Sequence, residues 1–327
     1  MKLGLLIDSA ALAETVRMAL DGMHKVQWVA RDERQALRLC NDDPPELLLM
    51  QLGCEARVEF TRRLMGDSPC PILLLDMAAE LKTEWVFKAM GYGALDVVQL
   101  PISDSFSSVN LALLLRKIKN ITWLTTAPTS QPQRSTTSGF PRPRLIAIGA
   151  SAGGPATLNV LLPRLPATLN AAVVLVQHLD DQFSAGMVEW LGRESAMPVR
   201  LAQAGELPQS GVVLLAGRNE HLCVGRHGEL LYTPEPSKQI YRPSIDVLFQ
   251  SLAELWQGEA IGVLLTGMGR DGALGLKAMR DRGFTTIAQD KASSAVWGMP
   301  KAAVAIDAAS EVLPLDRIAA RLIELCR

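Results

Sequence analysis

Short apolar runs alternate with amphipathic stretches along the first 122 residues of the chain. Short apolar runs between polar positions are typical of buried strands, and apolar residues three or four positions apart are typical of helices. The pattern predicts strands at 3–7, 26–30, 47–50, 72–75 and 97–98. It predicts helices at 10–20, 33–40, 83–90 and 110–124. Strands that alternate with helices in this way predict a doubly wound parallel sheet.

The pattern breaks between residues 123 and 143, where Thr, Ser, Pro and Gln dominate and Phe140 is the one large apolar residue after Leu124. Such a segment cannot bury enough apolar surface to offset the entropy of ordering it, so we predict a flexible linker. The alternation resumes at 144, with strands predicted at 145–148, 173–176, 212–215, 230–233, 261–265 and 285–288 and helices at 247–255, 274–282 and 317–325. We therefore predict a second parallel α/β domain over 144–327, with a small hairpin near 212–233.

Composition narrows the functional classes. The chain has 327 residues, 48% of them hydrophobic and 20% charged, and its formal net charge is −1, which argues against broad binding to nucleic acid or anionic membranes. The five cysteines show no paired spacing, so neither a disulfide framework nor a zinc site is expected. Asp8 interrupts the apolar N-terminus, and no apolar run is long enough to cross a membrane. We expect a cytoplasmic protein.

A Gly-x-Ser-x-Gly pattern follows the first strand of the second domain. Gly149, Ser151 and Gly153 lie between an apolar strand and Pro155, which suits the first turn of a helix. A tight turn between strand and helix can hold a serine hydroxyl clear of its own backbone, so Ser151 is a candidate nucleophile. The alternative is a glycine-rich turn that only packs or binds phosphate, and the turn alone leaves both interpretations open.

A serine nucleophile needs a base and a group that orients the base. Of the four histidines, His178 ends a buried strand, whereas His221 and His227 are predicted in polar turns. Asp271 follows another strand within a glycine-rich turn, whose backbone N–H groups are candidates for an oxyanion hole, although Asp271 could equally be a plain helix cap. The ends of parallel strands meet at one edge of a sheet, so the three residues are expected to converge.

Two other site types fit the sequence less well. A dinucleotide site would need glycine in place of Ser151 and an acid at the end of the second strand, where Gln177 and His178 stand. An ordinary α/β-hydrolase has its triad in the chain order Ser, Asp, His, and the order here is Ser, His, Asp. These departures count against a dinucleotide site and against an ordinary α/β-hydrolase.

The first half of the chain resembles a response-regulator receiver domain, in the order of its elements and in the phrases Leu-Ile-Asp-Ser-Ala and Gly-Ala-Leu-Asp-Val-Val. The resemblance implies a flavodoxin-like sheet over 1–122, but the family's reactive positions are degenerate. The phosphate-accepting Asp falls on Gln51, the hydroxyl residue on Asp76 and the Lys on Leu100, while of the paired acids only Asp8 is present. An amide is no acceptor for phosphoryl, and a lone carboxylate is a poor Mg²⁺ site. We predict a pseudo-receiver that is not phosphorylated in the usual way.

Residues 144–327 resemble the catalytic domain of the chemotaxis protein-glutamate methylesterases, the CheB family. The matching phrases are Ile-Gly-Ala-Ser-Ala-Gly-Gly, Gln-His-Leu, Arg-Pro-Ser-Ile-Asp-Val-Leu-Phe, Leu-Thr-Gly-Met-Gly-Arg-Asp-Gly-Ala, Ala-Gln-Asp and Val-Trp-Gly-Met-Pro. Carried over by position, the family's triad falls on Ser151, His178 and Asp271, and its backbone oxyanion donor on Met268. One departure is Ala152, where the family usually has Thr after the nucleophile.

The resemblance implies a serine esterase that hydrolyses glutamyl γ-methyl esters on the cytoplasmic helices of chemoreceptors, during adaptation of a chemosensory pathway. It also implies that the same triad can deamidate receptor glutamines, and that no cofactor or metal is needed. A chemosensory histidine kinase is a further candidate partner; binding to nucleic acid and insertion into the membrane are not expected. The alternative function is a non-catalytic scaffold that docks on the kinase or the receptor array.

Overall fold

The computed structural model describes residues 1–76, 83–100, 108–123, 143–237, 239 and 241–327. The chain divides into two compact units, Met1–Ala127 and Pro128–Arg327. Nearly all of the linker predicted at 123–143 lies outside the described residues. The predicted division into 1–122, 123–143 and 144–327 therefore stays a prediction.

The first unit contains a parallel sheet with the order β2-β1-β3-β4-β5. Its strands are β1 (Lys2–Leu6), β2 (Lys25–Ala30), β3 (Leu47–Gln51), β4 (Ile72–Asp76) and β5 (Asp96–Gln99). Its helices are α1 (Ala10–Leu20), α2 (Glu33–Asp42), α3 (Glu55–Asp67), α4 (Thr83–Gly91) and α5 (Ser108–Trp123). This strand order is that of flavodoxin-like and receiver folds, and it confirms the predicted fold class for this half of the chain.

Helix α3 is the element of this unit that the sequence pattern did not predict. The buried face of α3 includes the polar residues Arg57 and Thr61 beside Val58, Phe60 and Leu64. A helix whose inner face carries a guanidinium and a hydroxyl does not show the apolar spacing on which the prediction depends. The strands show the opposite pattern: β3 and β4 are near-continuous buried apolar runs, as expected for a parallel sheet covered by helices.

The second unit is built on a seven-stranded parallel sheet in the part of the chain that the structure describes, with the order β14-β13-β12-β6-β7-β9-β8. Its strands, with the separate antiparallel hairpin β10–β11, are β6 (Arg144–Ala150), β7 (Ala171–Gln177), β8 (Val199–Leu201), β9 (Val213–Leu215), β10 (His221–Val224), β11 (Leu230–Thr233), β12 (Ala260–Leu264), β13 (Thr285–Gln289) and β14 (Glu311–Leu313). The parallel α/β architecture predicted for this half is confirmed.

The helices of this unit are α6 (Gly154–Leu161), α7 (Ser184–Gly192), α8 (Ile245–Leu255), α9 (Ala273–Asp281), α10 (Met299–Ala305) and α11 (Leu315–Leu325). Helices α8 and α9 pack closely, because Gly275 allows the backbone of α9 to approach Phe249 and the carbonyl of Asp246. None of the helices described in either unit combines the length and the apolar character needed to span a membrane.

The hairpin prediction near 212–233 was partly wrong. The strand at 213–215 joins the central sheet beside β7, and only β10 and β11 form the hairpin. All three residues of β9 are buried apolar residues, and such a strand belongs inside a sheet covered on both faces. His221 was predicted in a polar turn, yet it begins β10 and is fully buried.

Strand β6 is the point at which the chain reverses the direction in which it adds strands to this sheet. From β6 the chain first moves to one side, into β7, and later returns to the other side of β6 through β12. In sheets of this kind a crevice opens at the carboxyl ends of the strands where the order reverses. The turns that follow β6, β7 and β12 therefore meet around one crevice.

Candidate active site

The register of β6 and β7 places Ser151 beside His178. Ala150 is paired with Gln177 at the ends of these two strands, and the backbone N–H of His178 donates to the carbonyl of Ala150 at 3.0 Å. Each residue is thus the first after its strand, and neighbouring strands lie about 4.8 Å apart. Ser151 is only 5% exposed and His178 only 9% exposed, so both side chains lie at the edge of the interior.

Asp271 lies in the loop after β12, which is the other neighbour of β6 in the sheet, and its side chain contacts His178. The N–H of Ser151 donates to the carbonyl of Thr266 at 3.0 Å, which ties the serine turn to the start of this loop. One carboxylate oxygen of Asp271, Oδ2, lies 2.7 Å from Nε2 of His178. The structure therefore gathers Ser151, His178 and Asp271 from three adjacent strand ends.

The Asp271 carboxylate is buried and accepts hydrogen bonds from the start of α8. The Ser244 hydroxyl donates to Oδ1 at 2.8 Å, the Ile245 N–H to Oδ2 at 2.7 Å and the Asp246 N–H to Oδ1 at 3.1 Å. Burial acts to raise the pKa of Asp271, but the hydrogen bond and charge of His178 and the donors of α8 outweigh it, so the pKa lies below its ordinary value. Asp271 is therefore a carboxylate at neutral pH.

Asp271 is not the cap of its own helix, which was the alternative interpretation of this residue. Gly272 stands at the N-cap position of α9, in the left-handed region with φ of 87°. The carboxylate instead accepts from the first N–H groups of α8, a helix about 25 residues earlier in the chain, and adds a negative charge where the helix dipole is positive.

The hydrogen bond to Asp271 fixes which nitrogen of His178 carries the proton. A carboxylate can only accept, so Nε2 of the neutral ring carries the proton. The other nitrogen, Nδ1, is buried and has no hydrogen-bond partner among the described residues. Nδ1 is therefore the atom available to take a proton from a neighbouring hydroxyl.

Gln177 links the serine turn to His178. Its side-chain amide donates to the carbonyls of Ser151, at 3.0 Å, and of His178, at 3.1 Å. A Cβ atom at Gly154 would lie 2.1 Å from Oε1 of Gln177, so only glycine leaves room for this amide. The small residues of the serine turn are thus required by what packs against the turn.

The peptide between Gly267 and Met268 lies against the serine. A Cβ atom on Gly267 would lie 2.7 Å from Cβ of Ser151. The carbonyl of this peptide accepts from the N–H groups of Gly298, at 3.0 Å, and Met299, at 2.8 Å. In a trans peptide the N–H points away from the carbonyl, so the Met268 N–H is directed away from these donors, and it donates to no acceptor among the described residues.

Sequence reasoning missed the roles of Gln177, Ser244 and Tyr241. The Tyr241 ring is stacked on the His178 imidazole, with ring centroids 3.8 Å apart. A signal existed for Ser244, because Ser before an apolar helical run is a typical N-cap, and its hydroxyl does accept from the Val247 N–H. Ala152, the position at which the family resemblance led us to expect threonine, is buried, and its carbonyl accepts from the Thr266 hydroxyl at 2.9 Å.

Among known proteins, this chain is similar to CheB-type protein-glutamate methylesterases. A family model described as CheB methylesterase matches residues 146–322, which include Ser151, His178 and Asp271. Protein-glutamate methylesterase/protein-glutamine glutaminase 2 of Cupriavidus metallidurans is 52% identical over 100% of this chain and 98% of its own length. Protein-glutamate methylesterase/protein-glutamine glutaminase 3 of Pseudomonas aeruginosa is 52% identical over 99% of each chain. The crystal structure of the Thermotoga maritima CheB methylesterase catalytic domain is similar with a TM-score of 0.54 and 32% identity, over 57% of this chain and 100% of that one.

Replacing Gly154 by alanine should disturb the serine turn. The added methyl group must displace the Gln177 side chain, and we expect this overpacking to cost about 1–3 kcal/mol of stability. It should also slow the reaction of Ser151 with a fluorophosphonate reagent, because the turn loses its link to His178. The matched control is Gly192→Ala in α7, where the nearest atom to a Cβ lies 4.0 Å away. Unchanged stability and labelling in Gly154→Ala would contradict the steric argument.

The buried acid Asp246 gives a prediction for pH dependence. Burial, and next the charge of Asp271, raise the pKa of Asp246 well above its ordinary value. The native state therefore holds a proton that the unfolded chain releases, so the stability from this group is present at low pH and is lost as pH rises. Asp246→Asn copies the protonated acid, and its amide oxygen can still accept from the Gly275 N–H, which lies 2.7 Å from Oδ1 of Asp246.

Asp246→Asn should melt close to the wild type at about pH 4 and above it at about pH 8, as followed by calorimetry. Glu254→Gln, at an exposed position of the same helix, is the control and should show no such divergence. A variant that is less stable than the wild type at both pH values would refute the assignment.

Proposed function

The chain belongs to the CheB methylesterase family, and we propose that it hydrolyses the γ-methyl esters of glutamates on the cytoplasmic helices of a chemoreceptor. This reaction would serve adaptation in a chemosensory pathway. The observation that carries the proposal is the hydrogen-bonded pair of His178 Nε2 and buried Asp271 Oδ2, 2.7 Å apart, contributed by the turns after the two strands that flank the strand of Ser151. Nδ1 of His178 is left as the buried base of this pair.

In the first step the Ser151 hydroxyl attacks the γ-carbonyl carbon of the methylated glutamate. His178 accepts the hydroxyl proton at Nδ1, and Asp271 remains a carboxylate that stabilises the imidazolium. The negative charge that develops on the carbonyl oxygen is met by the Met268 N–H, which has no other acceptor among the described residues. The C–O bond to the methoxy group then breaks, and methanol leaves with the proton from His178.

In the second step water hydrolyses the glutamyl ester on Ser151. His178 takes a proton from water, the hydroxide attacks the ester carbonyl, and the proton returns to the Ser151 oxygen as the bond breaks. The products are a glutamate side chain and the free enzyme. The same two steps on a glutamine side chain would release ammonia instead of methanol, and more slowly, because an amide is a poorer acyl donor than an ester.

We further propose that residues 1–122 form a receiver-like domain that phosphorylation does not switch, joined by residues 123–143 to the catalytic domain. Gln51 ends β3, where the phosphate-accepting carboxylate would stand, and its Oε1 accepts the N–H of Asp8 at 3.1 Å. This contact supports the proposal, since the amide at this position is held by a hydrogen bond to Asp8 and offers no nucleophile.

Arg57, a buried residue of α3, also supports a receiver-like domain that phosphorylation does not switch. Its guanidinium is only 2% exposed; it forms an ion pair with Asp8 and lies 3.4 Å from the Glu33 carboxylate. Asp8, the one acid of the expected pair that is present, thus forms an ion pair with a cation of the protein itself, and a lone carboxylate paired in this way is a poor site for a divalent ion. Buried Asp76, at the position of the phosphate-binding hydroxyl, would repel an incoming phosphoryl group.

The esterase proposal is tested by methanol release from membranes that carry methyl-labelled chemoreceptors. We expect the full chain to release methanol, Ser151→Ala to stay at the blank, and Asp271→Asn to lose about 10⁴-fold in kcat because His178 then adopts the wrong tautomer. Release of ammonia from receptors with unmodified glutamines tests the deamidase reaction. A wild-type chain that binds the membranes, or a chemosensory kinase, without releasing methanol would favour a scaffold role.

The receiver-like domain is tested with labelled acetyl phosphate in the presence of Mg²⁺. We expect no acid-stable, base-labile label on the full chain and no change in its esterase rate. A receiver with an intact acceptor Asp, treated in parallel, is the positive control. An aspartyl phosphate on this chain would overturn the proposal.

A further inference from the structure

The ring of Tyr241 covers one face of the His178 imidazole. The ring centroids are 3.8 Å apart, and the two planes differ by only 9°. Tyr241 lies three residues before Ser244, whose hydroxyl donates to Asp271. The segment that leads into α8 therefore contacts the base twice, once directly through a ring and once through the carboxylate that holds it.

This geometry is a poor one for two neutral rings. Neutral aromatic rings carry quadrupoles of the same sign on their faces, so they prefer offset or edge-to-face contacts with centroids roughly 4.5–7 Å apart. A cation above the face of a tyrosine ring is attracted instead. The contact between Tyr241 and His178 thus becomes more favourable when the imidazole gains a proton.

His178 gains that proton when Ser151 attacks the substrate. An interaction that strengthens between the ground state and the transition state accelerates a reaction, whereas one that is equal in both states does not. The stack also limits the motion of the ring, because the hydrogen bond from Nε2 to Asp271 holds one edge and leaves the ring able to tilt about that bond.

We propose that Tyr241 is a positioning residue of the esterase reaction, whose ring keeps the imidazole of His178 in plane with Asp271 and favours its cationic form. The inference rests on the proposed function of the site. It adds no group to the reaction: the proton still passes from Ser151 to His178 and then to methanol. The role belongs to the ring of Tyr241, and the hydroxyl is not required for it.

Other ionisable groups lie in this region: Asp246 interacts electrostatically with Asp271, and His221 interacts with Arg242, Asp271 and Glu235. Asp246 follows Ile245 in α8, and His221 of β10 accepts the Ser244 N–H at Nδ1, at 3.1 Å. Burial lowers the pKa of His221, so this ring is neutral near pH 7. Asp271 is the carboxylate that contacts His178 directly, and a change in the pH profile of Tyr241 variants therefore reports on His178.

The test compares Tyr241→Leu with Tyr241→Phe in the full chain, by methanol release from methyl-labelled receptor membranes. Tyr241→Phe keeps the ring and should retain kcat within about twofold, whereas Tyr241→Leu should lose roughly tenfold in kcat with little change in KM. The acid limb of kcat/KM against pH should move to lower pH in Tyr241→Leu only, because the imidazolium is less stabilised. A structural role alone would not move that limb.

Proton NMR of the imidazole signals gives a second readout that needs no substrate. The chain has only four histidines, so His178→Gln assigns the signals of His178. These signals should move downfield in Tyr241→Leu, which removes the ring current, and stay in place in Tyr241→Phe. If Tyr241→Leu is unstable to heat, Tyr241→Met, an unbranched side chain of similar length, replaces it in both assays.

The inference would be overturned by a wild-type kcat in Tyr241→Leu, by a loss of kcat in Tyr241→Phe equal to that in Tyr241→Leu, or by His178 signals that do not change when the ring is removed. A rise in KM without a fall in kcat would also overturn it, because Tyr241 would then contact substrate only. A wild-type chain that releases no methanol would refute the proposed function instead, and the NMR comparison would still decide whether the stack exists.

Discussion

The second unit of this protein depends on one buried carboxylate that must be fully hydrogen-bonded. An ionised acid in a protein interior is costly unless donors surround it. Asp271 meets this requirement with His178 after β7 and with the hydroxyl and N–H groups at the start of α8. Satisfying the carboxylate therefore fixes α8 against the loop after β12 and, in the same arrangement, fixes the tautomer of His178.

Packing allows the start of α8 to come so close. The Ile245 side chain fills the space above Gly149 of β6, where a Cβ atom would lie only 2.3 Å from Ile245 Cγ2. Ile245 is fully buried, and its own N–H is one of the donors to Asp271. The packing of the Ile245 side chain on Gly149 thus places the Ile245 N–H where it can donate to Asp271.

The two units treat buried charge in different ways. In the second unit the donors around Asp271 leave one nitrogen of His178 free to do chemistry. In the first unit the guanidinium of Arg57 neutralises Asp8, and Gln51 bonds to the backbone beside it. The first arrangement leaves a ring nitrogen without a partner among the described residues, whereas in the second both Asp8 and Gln51 are paired within the unit.

The sequence by itself determined the two parallel α/β folds and the positions of Ser151, His178 and Asp271 at strand ends. These features follow from local patterns: apolar runs predict strands, and parallel strands bring their carboxyl ends to one edge. The same local logic failed at α3, whose buried face carries Arg57, and at His221, whose polar surroundings in the sequence hid a buried strand.

Only the tertiary structure decided which groups hold the site together. Asp271 accepts from a helix about 25 residues earlier in the chain, Gln177 joins two neighbouring turns, and Tyr241 lies flat on His178 across more than 60 positions. Such contacts arise from strand order and helix packing, which bring distant segments together, and no periodicity in the sequence encodes them. The sequence therefore identified the candidate residues, while the fold alone determined how they are oriented.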